Sequence, residues 1–355
     1  MQLCINNMSF HTFTHSSILF ITFLKGDSMI QKKLIACLIL ISPLLAQAHD
    51  FKRIIVFGDS LVDSGTYAAV AGPKGGGKFT INPGQNWTEN LATQLGLKLT
   101  THRQEGFNLP VQIIGGLNFA QGGARVSQNP GSGVDKGYTA RSLKDQVQLF
   151  KESLNSFHKS DLVIVAGGGI DVVLQVNLLA AQQMTLEQAI KNIDQASTDL
   201  ALIVKSIKEN GNPTILVPTL PDISLTPLAQ ESGPKAVQLF SKLTEHYNQG
   251  ILKKIKGVLP KPIVHGLKIQ IVRIDKLDQF VTNHPEHYGI TDLKTPACAT
   301  NLLPGGSALF CNEKTLISAS AQSFKFADKL HPTPLVHKII ADHVFKQITK
   351  KDVLY

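Results

Sequence analysis

The residue types best suited to covalent chemistry in this sequence are one serine near its beginning and an aspartate and a histidine near its end. Ser60 lies in Phe57-Gly58-Asp59-Ser60-Leu61, directly after a β-branched run. A serine at the carboxyl end of a strand, opening a turn into a helix, exposes its hydroxyl and sets its amide near a positive helix end, which suits acyl transfer. Such a hydroxyl needs a base to take its proton, and the base needs a carboxylate to fix its tautomer. Asp328 and His331, three residues apart in Asp328-Lys329-Leu330-His331-Pro332, are of the required types. Each fragment alone is weak, because Gly, Asp and Ser are ordinary turn residues and a bare D-x-x-H also describes a cap beside a surface histidine.

Three other features compete for function. Gly72-Pro73-Lys74-Gly75-Gly76-Gly77-Lys78-Phe79 nearly matches a phosphate-binding loop, but Phe79 stands where a Ser or Thr must ligate magnesium, and no strand leads into it. His284 and His287 have H-x-x-H spacing without the H-E-x-x-H pattern or a cysteine partner, so surface histidines are expected and no metal. His337 falls on the last expected helix, where packing or solvent contact is expected rather than a role as a second base.

Taken together, the motifs resemble those of the GDSL, or SGNH, hydrolase family. Gly58-Asp59-Ser60-Leu61 resembles its first block and Asp328 to Pro332 its final D-x-x-H-P block. Asn118-Phe119-Ala120-Gln121-Gly122-Gly123-Ala124 resembles the second block, whose glycine lends an amide to the oxyanion hole, here Gly123. Asn86-Trp87-Thr88-Glu89-Asn90-Leu91-Ala92 resembles the helix after the first block in lipase-like members. The third block, G-x-N-D, corresponds to Gly168-Gly169-Ile170-Asp171, so Ile170 stands at the position of the oxyanion asparagine. Isoleucine cannot donate, and losing one such donor costs about 2.7–4 kcal/mol of transition-state stabilisation unless another group replaces it. The resemblance thus implies a triad of Ser60, His331 and Asp328, an oxyanion hole from the Ser60 and Gly123 amides, and no cofactor.

The Phe57-to-Gly65 opening is similar to that of exported bacterial lipase-like members, among them phospholipases A, lysophospholipases and glycerophospholipid:cholesterol acyltransferases. It implies a phospholipid or other lipid ester as substrate, a sterol as an alternative acyl acceptor, and an activating protease that clips a disulfide-closed loop. Two alternatives stay open: a carbohydrate or aryl esterase of the same fold, and a non-catalytic lipid or glycan binder, for which Ile170 is the motive. Keeping Ser60, Asp328 and His331 together would serve no purpose in a binder.

The elements that must position these residues read as an α/β pattern. Strands are expected at Arg53 to Phe57, Val111 to Ile114, Asp161 to Ala166, Pro213 to Pro218 and Ile269 to Ile274, each nearly continuous in apolar residues as in a sheet covered on both faces. Helices are expected at Trp87 to Leu95, Leu143 to Phe157, Leu186 to Lys208, Lys235 to Lys256 and Pro334 to Ile348. This alternation predicts a three-layer doubly wound, flavodoxin-like domain of about five parallel strands, with ligands beyond the strands' carboxyl ends. Leu277 to Ala327 shows no clear periodicity and reads as a long loop insertion, of the kind that is usually functional.

From Met29 the chain has a basic start, an apolar run from Leu34 to Leu45 and Ala46-Gln47-Ala48, the pattern of a signal peptide cut after Ala48. The expected organisation is a leader over 1–48 and a single domain over 49–355, secreted to the periplasm or the exterior. Outside the leader only Cys298 and Cys311 remain, and in an exported protein they read as a disulfide. The formal charge of +9 is spread over helical-looking stretches, which fits a solvated face or peripheral contact with anionic lipid headgroups. The export signal and the lack of an aromatic-interleaved basic motif argue against nucleic acid.

Overall fold

The computed structural model describes residues 51–258 and 269–349, so the expected signal peptide 29–48 and its cleavage point lie outside the described residues. Along the chain, β1 (Arg53–Gly58) is followed by α1 (Trp87–Gln94), β2 (Arg103–Gly106), β3 (Leu109–Ile113), α2 (Leu143–Leu154) and β4 (Asp161–Ala166). Then come α3 (Gly169–Ala180), α4 (Leu186–Glu209), β5 (Thr214–Pro218), α5 (Pro234–Val258), β6 (Ile269–Val272), α6 (Ile274–Asn283), β7 (Asp292–Pro296), β8 (Phe324–Phe326) and α7 (Pro334–Thr349).

Four strands form a parallel sheet in the order β1-β4-β5-β6, with Ile55, Val163, Ile215 and Ile269 in one row across it. Alternation along the strands divides their side chains between two buried clusters. Ile55, Phe57, Val163, Val165, Ile215 and Val217 pack with residues of α2 to α5, while Ile54, Val56, Leu162, Ile164 and Leu216 pack with residues of α1, α6 and α7. Each such side chain contributes about 1.5–3 kcal/mol on leaving water, which is why strands apolar on both faces end in the middle of three layers. The expected three-layer α/β architecture is the one observed.

The expected strand at Val111 to Ile114 is not in this sheet. It belongs to β3, which pairs antiparallel with β2 through a turn at Phe107 and Asn108, both in the left-handed region with φ of 54° and 57°. The free edge of β1 is taken instead by Leu117–Gln121, whose backbone alternates bonds with Val56 and Gly58 over 2.8–3.0 Å. Phe119, within 5.7 Å of Phe57 and 5.6 Å of Phe150 between ring centroids, fills the core position that the β-branched run was expected to fill.

The stretch expected as a loop over Leu277 to Ala327 is largely irregular, but it opens inside α6 and carries β7, β8 and several single-turn helices. Cys298 and Cys311 form the expected disulfide, and their loop packs in a third apolar cluster with Tyr67, Phe79 and Ile81. Among the described residues, no helix is long and apolar enough to cross a membrane.

Candidate active site

β1 delivers Ser60 to the carboxyl edge of the sheet, and the close approach of β1 to β4 depends on Gly58. A Cβ there would stand 2.5 Å from the Ala166 carbonyl oxygen. The side-chain amide of Gln146 clamps this turn: its Oε1 accepts from the Gly58 amide at 2.8 Å and its Nε2 donates to the Gly58 carbonyl at 2.8 Å. Ser60 itself is only 6% exposed.

From the other end of the chain, the short β8–α7 connection brings His331 to it. His331 Nε2 lies 2.9 Å from Ser60 Oγ across a separation of 271 residues, and His331 Nδ1 lies 2.8 Å from Asp328 Oδ2. Asp328 is fixed by backbone amides, accepting from Leu330 and His331 through Oδ1 and from Ala308 of the disulfide loop through Oδ2 at 2.6 Å. These bonds and the neighbouring imidazole hold the Asp328 carboxyl below its ordinary range, although burial pushes the other way. The structure therefore brings together the three residues singled out from the sequence, with Nδ1 facing the carboxylate and Nε2 facing the hydroxyl.

Gly123 reaches the same cleft as Ser60, at a φ of +85° where a Cβ would stand 2.2 Å from the Ser132 carbonyl oxygen. Among the described residues, neither the Ser60 nor the Gly123 amide donates to a protein acceptor. Ile170 occupies the second position of α3 and is 7% exposed, on the wall shared by the cleft and a second, apolar cavity. Gly168 precedes α3 without a side-chain cap at a left-handed φ of 107°, and its lack of a Cβ leaves room for Tyr247, whose hydroxyl donates to the Gly167 carbonyl at 2.8 Å. Asp171 is bolted away from the cleft, accepting from Val126 N and Arg125 Nε.

Several residues that hold this arrangement carry no signal of their own in the sequence reading. Asp63 accepts from the amides of Gly65, Thr66 and Gly122, tying the turn after Ser60 to the segment that presents Gly123. A second brace runs from Arg141 to Glu105 at 2.8 Å and from Gln121 to Glu105 at 2.5 Å. Burial pushes both Asp59 and Asp63 up to about 6. The spacing Asp59-Ser60-x-x-Asp63-x-Gly65 was the available clue, because a short acid four residues past Asp59 is well placed to cap the following turn.

The two recesses that meet at Ser60 and His331 differ in kind. One is a narrow cavity of about 110 Å³ lined by Leu220, Ile223, Ile274, Leu277, Val336 and Ile339. Of its acidic and basic groups, Lys325 pairs with Asp278 at 2.8 Å, while Asp59 accepts from the Leu61 amide and Asp222 from the Ser224 amide. His337 also lines it, buried as expected of a packing residue. Its Nδ1 accepts from Trp87 N at 3.3 Å, and burial pushes it down to about 3, so it is neutral. The other recess is an open cleft of about 1060 Å³ that includes Lys74, Phe79, Phe107, Lys136 and Tyr138.

Of the rival features, the glycine-rich segment is otherwise engaged, while His284, Glu286 and His287 bring one ligand atom each within 4.8 Å of one another. Lys78 of the glycine-rich segment pairs with Glu89 at 3.1 Å, inside the capping box that starts α1 at Asn86. His284 and His287 stack at 5.3 Å on the surface with Glu286 beside both.

With this geometry in view, the profile of GDSL-like lipases and acylhydrolases matches residues 54–344. The chain is 24% identical to Lipase 1 of Photorhabdus luminescens over 84% of its own length and 50% of that protein's, so it spans about half of that relative. It is 29% identical to the phosphatidylcholine-sterol acyltransferase of Aeromonas hydrophila, over 75% of this chain and 72% of that one. Among solved structures, phospholipase A1 from Streptomyces albidoflavus NA297 aligns with a TM-score of 0.41 at 11% identity, over 83% of this chain and 98% of that one. With a family profile running across nearly all of the described residues, from the start of β1 to the last helix, the chain belongs to the GDSL-like lipase/acylhydrolase family.

Proposed function

We propose that this protein is an exported serine hydrolase of lipid acyl esters, of the lysophospholipase or phospholipase A type, with Ser60 as nucleophile, His331 as base and Asp328 as the group that orients it. The observation that carries the reading is the buried relay from Ser60 Oγ to His331 Nε2 at 2.9 Å and from Nδ1 to Asp328 at 2.8 Å. In the first step Nε2 takes the Ser60 proton as Oγ attacks the ester carbonyl, and Asp328 stabilises the imidazolium. The negative charge develops against the free amides of Ser60 and Gly123. His331 then returns its proton to the leaving alcohol, and water attacks the acyl-Ser60 with His331 again as base.

The lipid preference is supported by the largely aliphatic cavity beside Ser60, where Lys325 is paired with Asp278 and burial pushes His337 down to about 3, an environment that suits an alkyl chain. The open cleft with Lys74 and Lys136 suits a phosphate-bearing alcohol. A second acceptor in place of water, a sterol hydroxyl, is suggested by the name of the Aeromonas relative. Proteolytic clipping between Cys298 and Cys311 is the proposed activating event, and unchanged lysophospholipid turnover after such clipping would refute it.

A fluorophosphonate is expected to label the wild type and not Ser60→Ala, with both folding alike. Absence of labelling in the wild type would sink the enzymatic reading in favour of a binder. A panel of lysophospholipid, an aryl acetate and acetylated xylan then separates the esterase classes: higher kcat/KM on the acetyl esters would replace the lipid assignment.

A further inference from the structure

The run expected as a buried strand emerges instead as an exposed one. From Phe107 to Asn118 the sequence carries no charged residue, and alternation along β3 sets Leu109, Val111 and Ile113 on one face. They are 42%, 51% and 63% exposed, and Ile114 beyond them is 47% exposed. Contiguous aliphatic exposure of this kind on a two-stranded edge is rare in a surface that meets only water.

The strip has a definite place relative to the site. Its inner end is the turn at Phe107, which lines the open cleft, and Phe107 N donates to the Gly137 carbonyl at 2.6 Å. That bond ties the hairpin to the Val134–Lys136 turn, where Val134 is 42% exposed and Lys136 is exposed and also lines the cleft. Lys74, exposed with its ammonium over the Phe310 ring, stands on the same cleft. At about 3.4 Å per residue, the five residues of β3 extend the apolar strip roughly 17 Å away from this mouth.

We infer that β3, with Val134 beside its inner end, is an interfacial docking element that seats the protein on an anionic phospholipid surface and brings the cleft mouth to it. Uncharged aliphatic side chains fit the boundary between headgroups and acyl chains, and lysines beside them fit anionic headgroups. Continuity with the cleft, and a mouth where Lys74 and Lys136 outnumber Asp135, favour lipid over a second copy of the chain. Pro110 argues the same way, since it removes an amide from β3 and blunts it for strand addition. The inference rests on the lipid-ester reading for its purpose, but its test is separate.

The test is co-flotation of the protein with vesicles of mixed phosphatidylcholine and phosphatidylglycerol, for the wild type and Val111→Ser/Ile113→Ser. Both changes are at exposed positions, and thermal melting checks that the fold is kept. The wild type is expected to float, more weakly as salt is raised, and the double variant to bind about tenfold or more weakly. Both are expected to cleave a soluble short-chain ester at equal rates. Equal vesicle binding by the two proteins overturns the inference, as does a wild type that ignores vesicles. A wild-type dimer that the double variant loses in sedimentation also overturns it, by naming a second copy as the occupant. A wild type that binds vesicles through the strip yet cleaves no ester leaves the inference standing and sinks the proposed function instead.

Discussion

Ile170→Asn separates two accounts of the oxyanion site. Ile170 lies at the start of α3 on the wall shared by the cleft and the apolar cavity, and it is 7% exposed. If the site has only the Ser60 and Gly123 amides, an added side-chain donor is worth up to about 2.7–4 kcal/mol in the transition state, or 10² to 10³ in rate. Imperfect placement of a new side chain reduces that, so a rise in kcat of about tenfold to a hundredfold on a soluble acetyl ester is expected. Because the bond forms only as charge develops, kcat and kcat/KM should rise together on that substrate. The apolar wall loses a side chain at the same time. That costs about 1.5–3 kcal/mol of burial, lowers Tm by several degrees and raises KM for a long-chain ester, though not for the acetyl ester. Initial rates on both esters and a melting curve measure all three. A lowered Tm with unchanged kcat on the acetyl ester would refute the reasoning, because it would mean that an uncapped first-turn amide of α3, such as that of Gly169, already serves as the third donor.

Other perturbations test the supports of the site. Gly123→Ala forces a Cβ to within 2.2 Å of the Ser132 carbonyl oxygen at a φ of +85°, so the amide must shift. A loss in kcat of about 10² to 10³ is expected, and wild-type kcat would exclude this amide from the oxyanion hole. Burial pushes Asp59 up to about 6, so between its ordinary value and about 6 the folded state keeps a proton that the unfolded chain has lost. Its ionisation therefore lowers stability as pH rises, and Asp59→Asn should gain Tm relative to the wild type on going from about pH 5 to about pH 7. His337, pushed down to about 3, has the opposite slope below the ordinary histidine range, so the wild-type curve alone decides nothing and the difference between proteins is the quantity to measure. A difference independent of pH would refute the assignment. Replacing both Cys298 and Cys311 with Ser should cost about 3 kcal/mol by loop closure and also lower kcat, since Ala308 of that loop donates to Asp328 at 2.6 Å. A fall in Tm with intact kcat would separate the loop from the triad.

The sheet was legible in the sequence where its strands are continuously apolar. β1, β4, β5 and β6 sit within a residue or two of their expected bounds because a strand covered on both faces has few other ways to bury such a run. The helices α1, α2, α4, α5 and α7 were legible from their periodicity and caps. α3 was not, since Gly-Ile-Asp-Val-Val-Leu-Gln-Val-Asn-Leu-Leu-Ala has almost no polar face, being packed against α4 and α5. Val111 to Ile114 failed for the converse reason: β propensity describes a fit to a pleated surface and cannot say whether anything covers it. The turn Gly106-Phe107-Asn108, all three residues at positive φ and without an Asn-Gly pair, diverted the run into a hairpin.

At the candidate site, Ser60, Asp328 and His331 could be read because the roles proposed for them, nucleophile, orienting acid and base, admit few residue types. The residues that fix their positions could not, because they act on backbone groups that any sequence provides. Gln146 shows the difference. Its amide holds both polar groups of Gly58 from 88 residues away and also donates to the Arg141 carbonyl, yet in sequence it is a polar residue on the helix Leu143–Leu154. Because Gln146 is buried, its truncation would leave the Gly58 amide unpaired at about 1–3 kcal/mol, while the Gly58 carbonyl would keep the Gln121 amide at 3.0 Å. That penalty falls on the one turn whose geometry decides whether Ser60 Oγ meets His331 Nε2. The proposed chemistry is thus written in three residue types, while its precision would depend on amide-bearing side chains that only the folded chain makes recognisable.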